Sequence, residues 1–155
     1  MTFKNEEEFR SWLIEELENI LDRERWLILK SKNVTDIIIS KQDDESPALL
    51  FIEVKYYKKN YRRIGIGTSN GEGFQPEILM KEPIYIEKHM MWVLCNEDEK
   101  CLFLSNDDIR NNCAGGSIDL GKQNNISNNV FDNNKSKLIN IRNIPKEIKN
   151  WIEKF

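Results

Sequence analysis

The first regular pattern in the chain is helical. Phe9, Trp12, Leu13, Leu17, Ile20 and Leu21 recur at intervals of three and four, with glutamates on much of the opposite side, and predict an amphipathic helix over 5–25. Asn5 is placed to cap it, and the Glu6-Glu7-Glu8 run falls in the first turn, where the helix dipole favours carboxylates. Two glutamates depart from the polar face. At 100° per residue, Glu6 lies about 60° and Glu16 about 20° from Phe9, inside the apolar stripe. A carboxylate there needs a partner, a metal or a raised pKa, or else it snorkels to solvent from a helix end.

The pattern then shortens to strands. Residues 26–29 form a weak candidate, and 34–40 and 49–57 are strong ones, rich in β-branched and aromatic residues. The polar stretch 41–47 has the length of a hairpin connection, so the two strong strands are expected to be antiparallel neighbours. Residues 65–73 hold four of the seven glycines and predict a loop, followed by a short helix at 75–80 with Pro76 suited to its first position. A second strand pair is expected at 90–95 and 100–104, a short helix at 106–112 and a last strand at 138–141. A C-terminal helix over 145–155 places Ile144, Ile148, Trp151, Ile152 and Phe155 on one face. Between them, 111–134 is rich in Asn and Gly and predicts an irregular excursion or functional loop. The expected fold is mixed α/β, with a central mixed sheet of four or five strands flanked by helices, in one domain spanning 1–155 with its core at about 5–104.

Composition narrows the function classes. Twenty-three Lys and Arg against 26 Asp and Glu give a net charge of −3, which excludes a globally basic nucleic-acid coat and leaves room for a local basic strip. The acidic start is unlike a secretory signal, and the longest apolar runs fall far short of the roughly 20 residues of a membrane helix; a cytoplasmic protein without membrane partners is expected. Cys95, Cys101 and Cys113 lack zinc-site spacing, so reduced thiols are expected. A nucleophilic pair of one of them with His89, the only histidine, has no motif context.

Charges that interrupt apolar strands carry the chemistry. Asp36 lies in Val34-Thr35-Asp36-Ile37-Ile38-Ile39, and Glu53 and Lys55 lie in Leu50-Phe51-Ile52-Glu53-Val54-Lys55-Tyr56. Alternation gives Glu53 and Lys55 one face of a strand, and a hairpin brings Asp36 alongside. Mg²⁺ seeks oxygen ligands, and the carboxylates of Asp36 and Glu53 with the carbonyl of Val54 would supply them, Mn²⁺ substituting. Lys55 would then position or help deprotonate an attacking water, as phosphodiester hydrolysis requires. A surface Glu/Lys pair beside a hairpin aspartate is the competing reading, and it leaves the interruption of both apolar strands unexplained.

This arrangement resembles the PD-(D/E)XK nuclease superfamily. Its motif runs Asp, a variable spacer, then Glu-X-Lys on the next strand, matched by Asp36, sixteen intervening residues and Glu53-Val54-Lys55. Thr35 stands where the family has proline. The resemblance covers the first helix to about Ile86. It implies a restriction-endonuclease-like core of a helix, three strands, a helix and a further strand (αβββαβ). It also implies a glutamate on the first helix that can join the metal site, for which Glu6 fits by spacing, with Glu16 as the alternative.

The segment that follows adds a basic strip. Lys55-Tyr56-Tyr57-Lys58-Lys59-Asn60-Tyr61-Arg62-Arg63 holds five cations, three tyrosines and no acid. The expected DNA contacts are Tyr56, Lys58, Lys59, Tyr61, Arg62 and Arg63, cations on phosphates and tyrosines on sugars or bases. A solvated strand end with tyrosines in the core is the alternative. The glycine loop lacks the order of a nucleotide cradle, and Gln75 at its end either reads a base edge or assists at the active site. The leading expectation is a Mg²⁺-dependent endonuclease acting on double-stranded DNA, of type II restriction-enzyme kind and homodimeric. A structure-selective nuclease, such as a junction resolvase or mobile-element nuclease, and an inactive DNA-binding scaffold are the rivals.

Overall fold

A computed structural model describes residues 1–31 and 33–155. Helix α1 (Glu6–Ile20) starts where Asn5 accepts a hydrogen bond from the Glu8 amide, and it buries Phe9, Leu13, Ile14 and Leu17. It ends five residues before the expected Arg25, because Asp22 turns the chain: its carbonyl accepts from the amides of Arg25 and Trp26, and its side chain accepts from Glu24.

Strands β1 (Trp26–Lys30), β2 (Ile37–Lys41) and β3 (Ala48–Tyr57) follow as an antiparallel meander, the β2–β3 pair joined by the expected polar turn. The chain then runs through β4 (Ile64–Ile66), α2 (Phe74–Lys81) and α3 (Ile84–His89) before β5 (Met90–Asn96) lies parallel to β3. Strand β6 (Lys100–Leu104) returns antiparallel beside β5; α4 (Asn106–Asn111), β7 (Asn124–Ile126) and α5 (Val130–Asn133) precede the short edge strand β8 (Ile139–Asn140) and the final helix α6 (Ile144–Ile152). The central sheet has the order β1-β2-β3-β5-β6-β8. The fold is therefore mixed α/β, with a mostly antiparallel sheet of six strands flanked by helices.

Two apolar layers cover this sheet. On one face α1 and α6 pack over Ile52, Val54 and Tyr56 of β3; on the other, Phe51 of β3 and Trp92 and Leu94 of β5 meet Ile78 and Leu79 of α2 and Ile109 of α4. Strand alternation thus fixes β3 from both sides. Each fully buried Ile or Leu contributes roughly 2 kcal/mol. A one-residue slip would turn Ile52 and Val54 out of their layer, so the register that aims Glu53 and Lys55 is strongly specified.

Several expectations are corrected. The sheet has six strands rather than four or five, since β8 adds an edge to β6. Asp36 lies just before β2 rather than within it, because β2 begins at Ile37. Helix α2 starts at Phe74, which moves Pro76 from the first to the third position, still within the turn whose amides have no intrahelical partner. Cys95 and Cys101 form a disulfide rather than two free thiols, since they face each other across β5 and β6 with Cα atoms 4.1 Å apart. Residues 111–134 are not irregular throughout: β7 pairs antiparallel with β4 in a separate two-stranded sheet, Ile64 opposite Ile126. Asn124 makes this possible, its buried side chain bonding the backbone of Asp119 and Lys122 in place of regular structure. No helix among the described residues is long and apolar enough to cross a membrane.

Candidate active site

The site lies at a step in the sheet. The β2–β3 ladder stops at Ile37 opposite Ile52, whereas β3 continues to Tyr57, so its last five residues have no strand partner on that side among the described residues. Asp36 fills part of the gap: Oδ2 accepts from the Val54 amide at 2.8 Å, and Oδ1 accepts from Arg10 Nη1 on α1, also at 2.8 Å. Around the strand, Glu53 and Lys55 share the face covered by α2, with Lys55 Nζ 3.8 Å from Glu53 Oε1. Gln75, in the first turn of α2, donates to that same Oε1 at 2.6 Å, while its own carbonyl oxygen accepts from the Gly67 amide at 3.2 Å.

Gly67 allows that last contact. Its φ is +71°, and a Cβ there would stand 2.6 Å from the Glu72 carbonyl oxygen and 2.7 Å from the Pro76 ring. Any larger residue would push the loop away from Gln75.

Glu53 is only 3% exposed, and its second oxygen, Oε2, is buried with no hydrogen-bond partner among the described residues. Burial therefore raises its pKa well above the usual carboxylate range; Lys55 opposes the shift, and Asp36 and Glu6 add to it. Glu6 is raised as well, first by its own burial and then by Asp36, against the pull of Lys55, the Tyr56 amide and Arg10. Three carboxylates (Glu6, Asp36, Glu53) thus meet two cations (Lys55, Arg10). One negative charge is left for a further cation or a proton to match.

No family model matches the chain, and no curated protein matches it.

The donor set is suited to a hard divalent cation. Among the described residues no three His, Cys, Asp or Glu side chains form a ready-made cage. The available oxygens are the bare Oε2 of Glu53, the Asp36 carboxylate, and the Val54 carbonyl, which in an extended strand leaves on the same side as its amide, past the end of β2. Such a site has carboxylate and carbonyl ligands and leaves room for water, the coordination Mg²⁺ prefers.

Of the residues singled out in the sequence, Asp36, Glu53, Lys55 and Glu6 come together. Glu16 does not: ten residues further along α1, it lies about 15 Å from Glu6. Gln75 joins this cluster through its hydrogen bond to Glu53. Tyr56 is corrected from a DNA contact to a core residue, since it is buried among Phe3 and Phe9 and its hydroxyl accepts from the Phe3 amide. Its parity with Val54 puts it on the α1 face. Arg62 and Arg63 are exposed and make no ion pair among the described residues, whereas Lys58 and Tyr61 are half-buried. Lys59 is exposed, with its ammonium 3.8 Å from Asp98.

Arg10 is the site residue that sequence reasoning missed. It lies one turn beyond Glu6, at the i+4 spacing that places both on one side of α1. The cysteine–histidine pairing finds no support: burial pushes the Cys113 thiol up to about 11 and its sulfur bonds the Ile109 carbonyl, while His89 stacks on Tyr85.

Proposed function

We propose that this protein is a Mg²⁺-dependent DNA endonuclease built on a restriction-endonuclease-like core. The observation that carries the reading is the buried, unpartnered oxygen of Glu53 beside Asp36 and Lys55, at the point where β3 outruns β2. A buried carboxylate with a bare oxygen costs stability, and a site that uses the oxygen accounts for its retention. The order of α1, three antiparallel strands, a helical crossover and the parallel strand β5 also agrees with the core that the sequence resemblance implies. The site lies midway along the β3–β5 pairing, with Glu53 opposite Trp92 and Lys55 opposite Leu94, beside the edge of β3 that β2 leaves uncovered.

The roles follow from position. Asp36, Glu53 and the Val54 carbonyl would hold the metal ion, which when bound supplies charge neutralisation at the phosphate and acidifies a water. Lys55 reaches the same volume with an ammonium that orients the attacking water. Gln75 clamps the Glu53 carboxylate so that Oε2 keeps its direction. Glu6 stands near Asp36 and Lys55 from α1, a further carboxylate whose charged form a bound cation would favour. Arg62 and Arg63 extend beyond the site as free cations for backbone phosphates. One chain carries one such site, and cutting both strands of a duplex calls for two; the active species is a homodimer, visible as a doubled mass on DNA.

The test is incubation with unmethylated phage and plasmid DNA in Mg²⁺ or EDTA, alongside Asp36→Ala. Discrete bands that need Mg²⁺ and vanish in the variant establish a sequence-specific endonuclease. Metal-dependent nicking or smearing assigns a nonspecific or structure-selective nuclease instead. Absence of cleavage on linear, supercoiled and four-way-junction DNA alike rejects the enzymatic reading.

A further inference from the structure

We infer that Arg10 holds the place of the metal on Asp36 and, once displaced, becomes a ligand for a backbone phosphate of the nucleic acid in the cleft beside it. This inference rests on the metal-site reading above.

The geometry sets up the exchange. Arg10 Nη1 donates to Asp36 Oδ1, and the pair is uneven in burial: the Asp36 side chain is 12% exposed and that of Arg10 31%. The aspartate is fixed from its other oxygen by the Val54 amide, while the arginine hangs from α1 on a flexible stem. A guanidinium has five N–H donors, and Asp36 is the one partner recorded for Arg10 among the described residues. Most of its hydrogen-bonding capacity is therefore unspent.

A divalent cation on the Asp36 carboxylate and a guanidinium on the same carboxylate repel each other, and the arginine is the partner free to move. Where it can go is open space. A cleft of about 210 Å³ beside α1 is lined by Arg10, Ser11, Lys30, Ser31 and Asp36, with Glu7 exposed at its rim. Two cations and two hydroxyls face this cleft beside the carboxylates of Glu7 and Asp36; with Asp36 taken by the metal, the cations outnumber the remaining acid and fit a phosphodiester oxygen pair, which the planar fork of Arg10 recognises in bidentate fashion. The metal thereby controls one contact to the nucleic acid: metal-free protein spends Arg10 on Asp36, and metal-loaded protein spends it on phosphate.

Two measurements test this without reading cleavage. In calorimetric titration with Mn²⁺ and no DNA, Arg10→Gln is expected to bind the ion about tenfold more tightly than the unchanged protein, because a competitor has been removed. In duplex binding, the unchanged protein is expected to show a steeper salt dependence in Ca²⁺ than in EDTA, by about one phosphate contact. Arg10→Gln is expected to lose that difference, and Arg10→Lys to restore part of it. Loss of packing would weaken metal and DNA binding together, so the opposite signs separate exchange from a structural role. Mn²⁺ affinity that is unchanged or weaker in Arg10→Gln, while Asp36→Asn abolishes the Mn²⁺ heat, overturns the exchange and leaves the metal site standing. Mn²⁺ binding that survives Asp36→Asn undiminished overturns both.

Discussion

Two clusters of charge sit under the same sheet, and they are built differently. Around Arg110 the network is closed. Its Nε donates to the Leu79 carbonyl at 2.7 Å and Nη2 to that of Ile78 at 3.3 Å, neutralising the end of α2, while Glu87 takes both terminal nitrogens and Asp107 and Glu82 stand beside them. Glu87 is in turn bonded by Asn106, whose oxygen accepts from Trp92 Nε1 at 2.7 Å. Around Asp36 and Glu53 the network is open, with a buried carboxylate oxygen that has no partner among the described residues and an arginine with spare donors. Buried charge alone does not mark a site. A closed network holds elements together, whereas an unfinished one is a place where something else completes the bonding.

The sharpest way to break this comparison is to remove a member of the open cluster and measure chemistry. Asp36→Ala is expected to abolish metal-dependent cleavage. Lys55→Ala is expected to lower it by about 10²–10⁴-fold while duplex binding, followed by fluorescence anisotropy, is retained. The closed cluster should respond in stability instead: Arg110→Ala leaves Glu87 without its main partner and is expected to cost about 3 kcal/mol in denaturant unfolding.

Glu53→Gln sharpens the contrast, because it is expected to raise stability by about 1 kcal/mol while cleavage is lost, the amide carrying no charge to bury. Its sign with pH is fixed. Glu53 binds its proton more tightly in the folded chain than in the unfolded one, so its contribution to stability is complete below the ordinary carboxylate pKa and is lost as pH rises through the higher folded value. Thermal melts across that window should therefore fall with pH in the unchanged protein and fall less in Glu53→Gln, Glu6 supplying the slope that remains. The smallest effect is at the rim, where Arg62→Ala should weaken DNA binding and reduce the salt slope by about one contact.

Much of this was legible in the sequence where periodicity and charge conflict. The stripe of α1 located the helix and placed Glu6 on its inward side, and charges that interrupt apolar runs of Ile, Val and Phe located Asp36, just before β2, and Glu53 and Lys55 within β3. Alternation also held the signal that Tyr56 is a core residue, since it shares parity with Val54; the basic neighbours on either side obscured it. Arg10 was less visible, because an arginine among glutamates on a helix has the look of an ordinary solvated face, and only the fold shows that α1 passes the end of β2. The β4–β7 pair was not legible, since it depends on which distant strands become neighbours, whereas Cys95 and Cys101 lay within the strand pair expected at 90–95 and 100–104 and their bond was passed over in favour of reduced thiols.

The parallel pairing of β3 with β5 has a consequence for the order in which the site comes into being during synthesis. Every side chain assigned to the centre, from Glu6 to Gln75, is synthesised and emerges before Met90 does. Strand β3, which carries Glu53 and Lys55, is held on its second edge by residues 90–96, and until these emerge it is an open edge on a three-stranded meander. Nascent chains shorter than this own the complete set of reactive groups and lack the frame that aims them. Their competence should therefore switch on late and abruptly, with the closing of the crossover, rather than grow with each residue added.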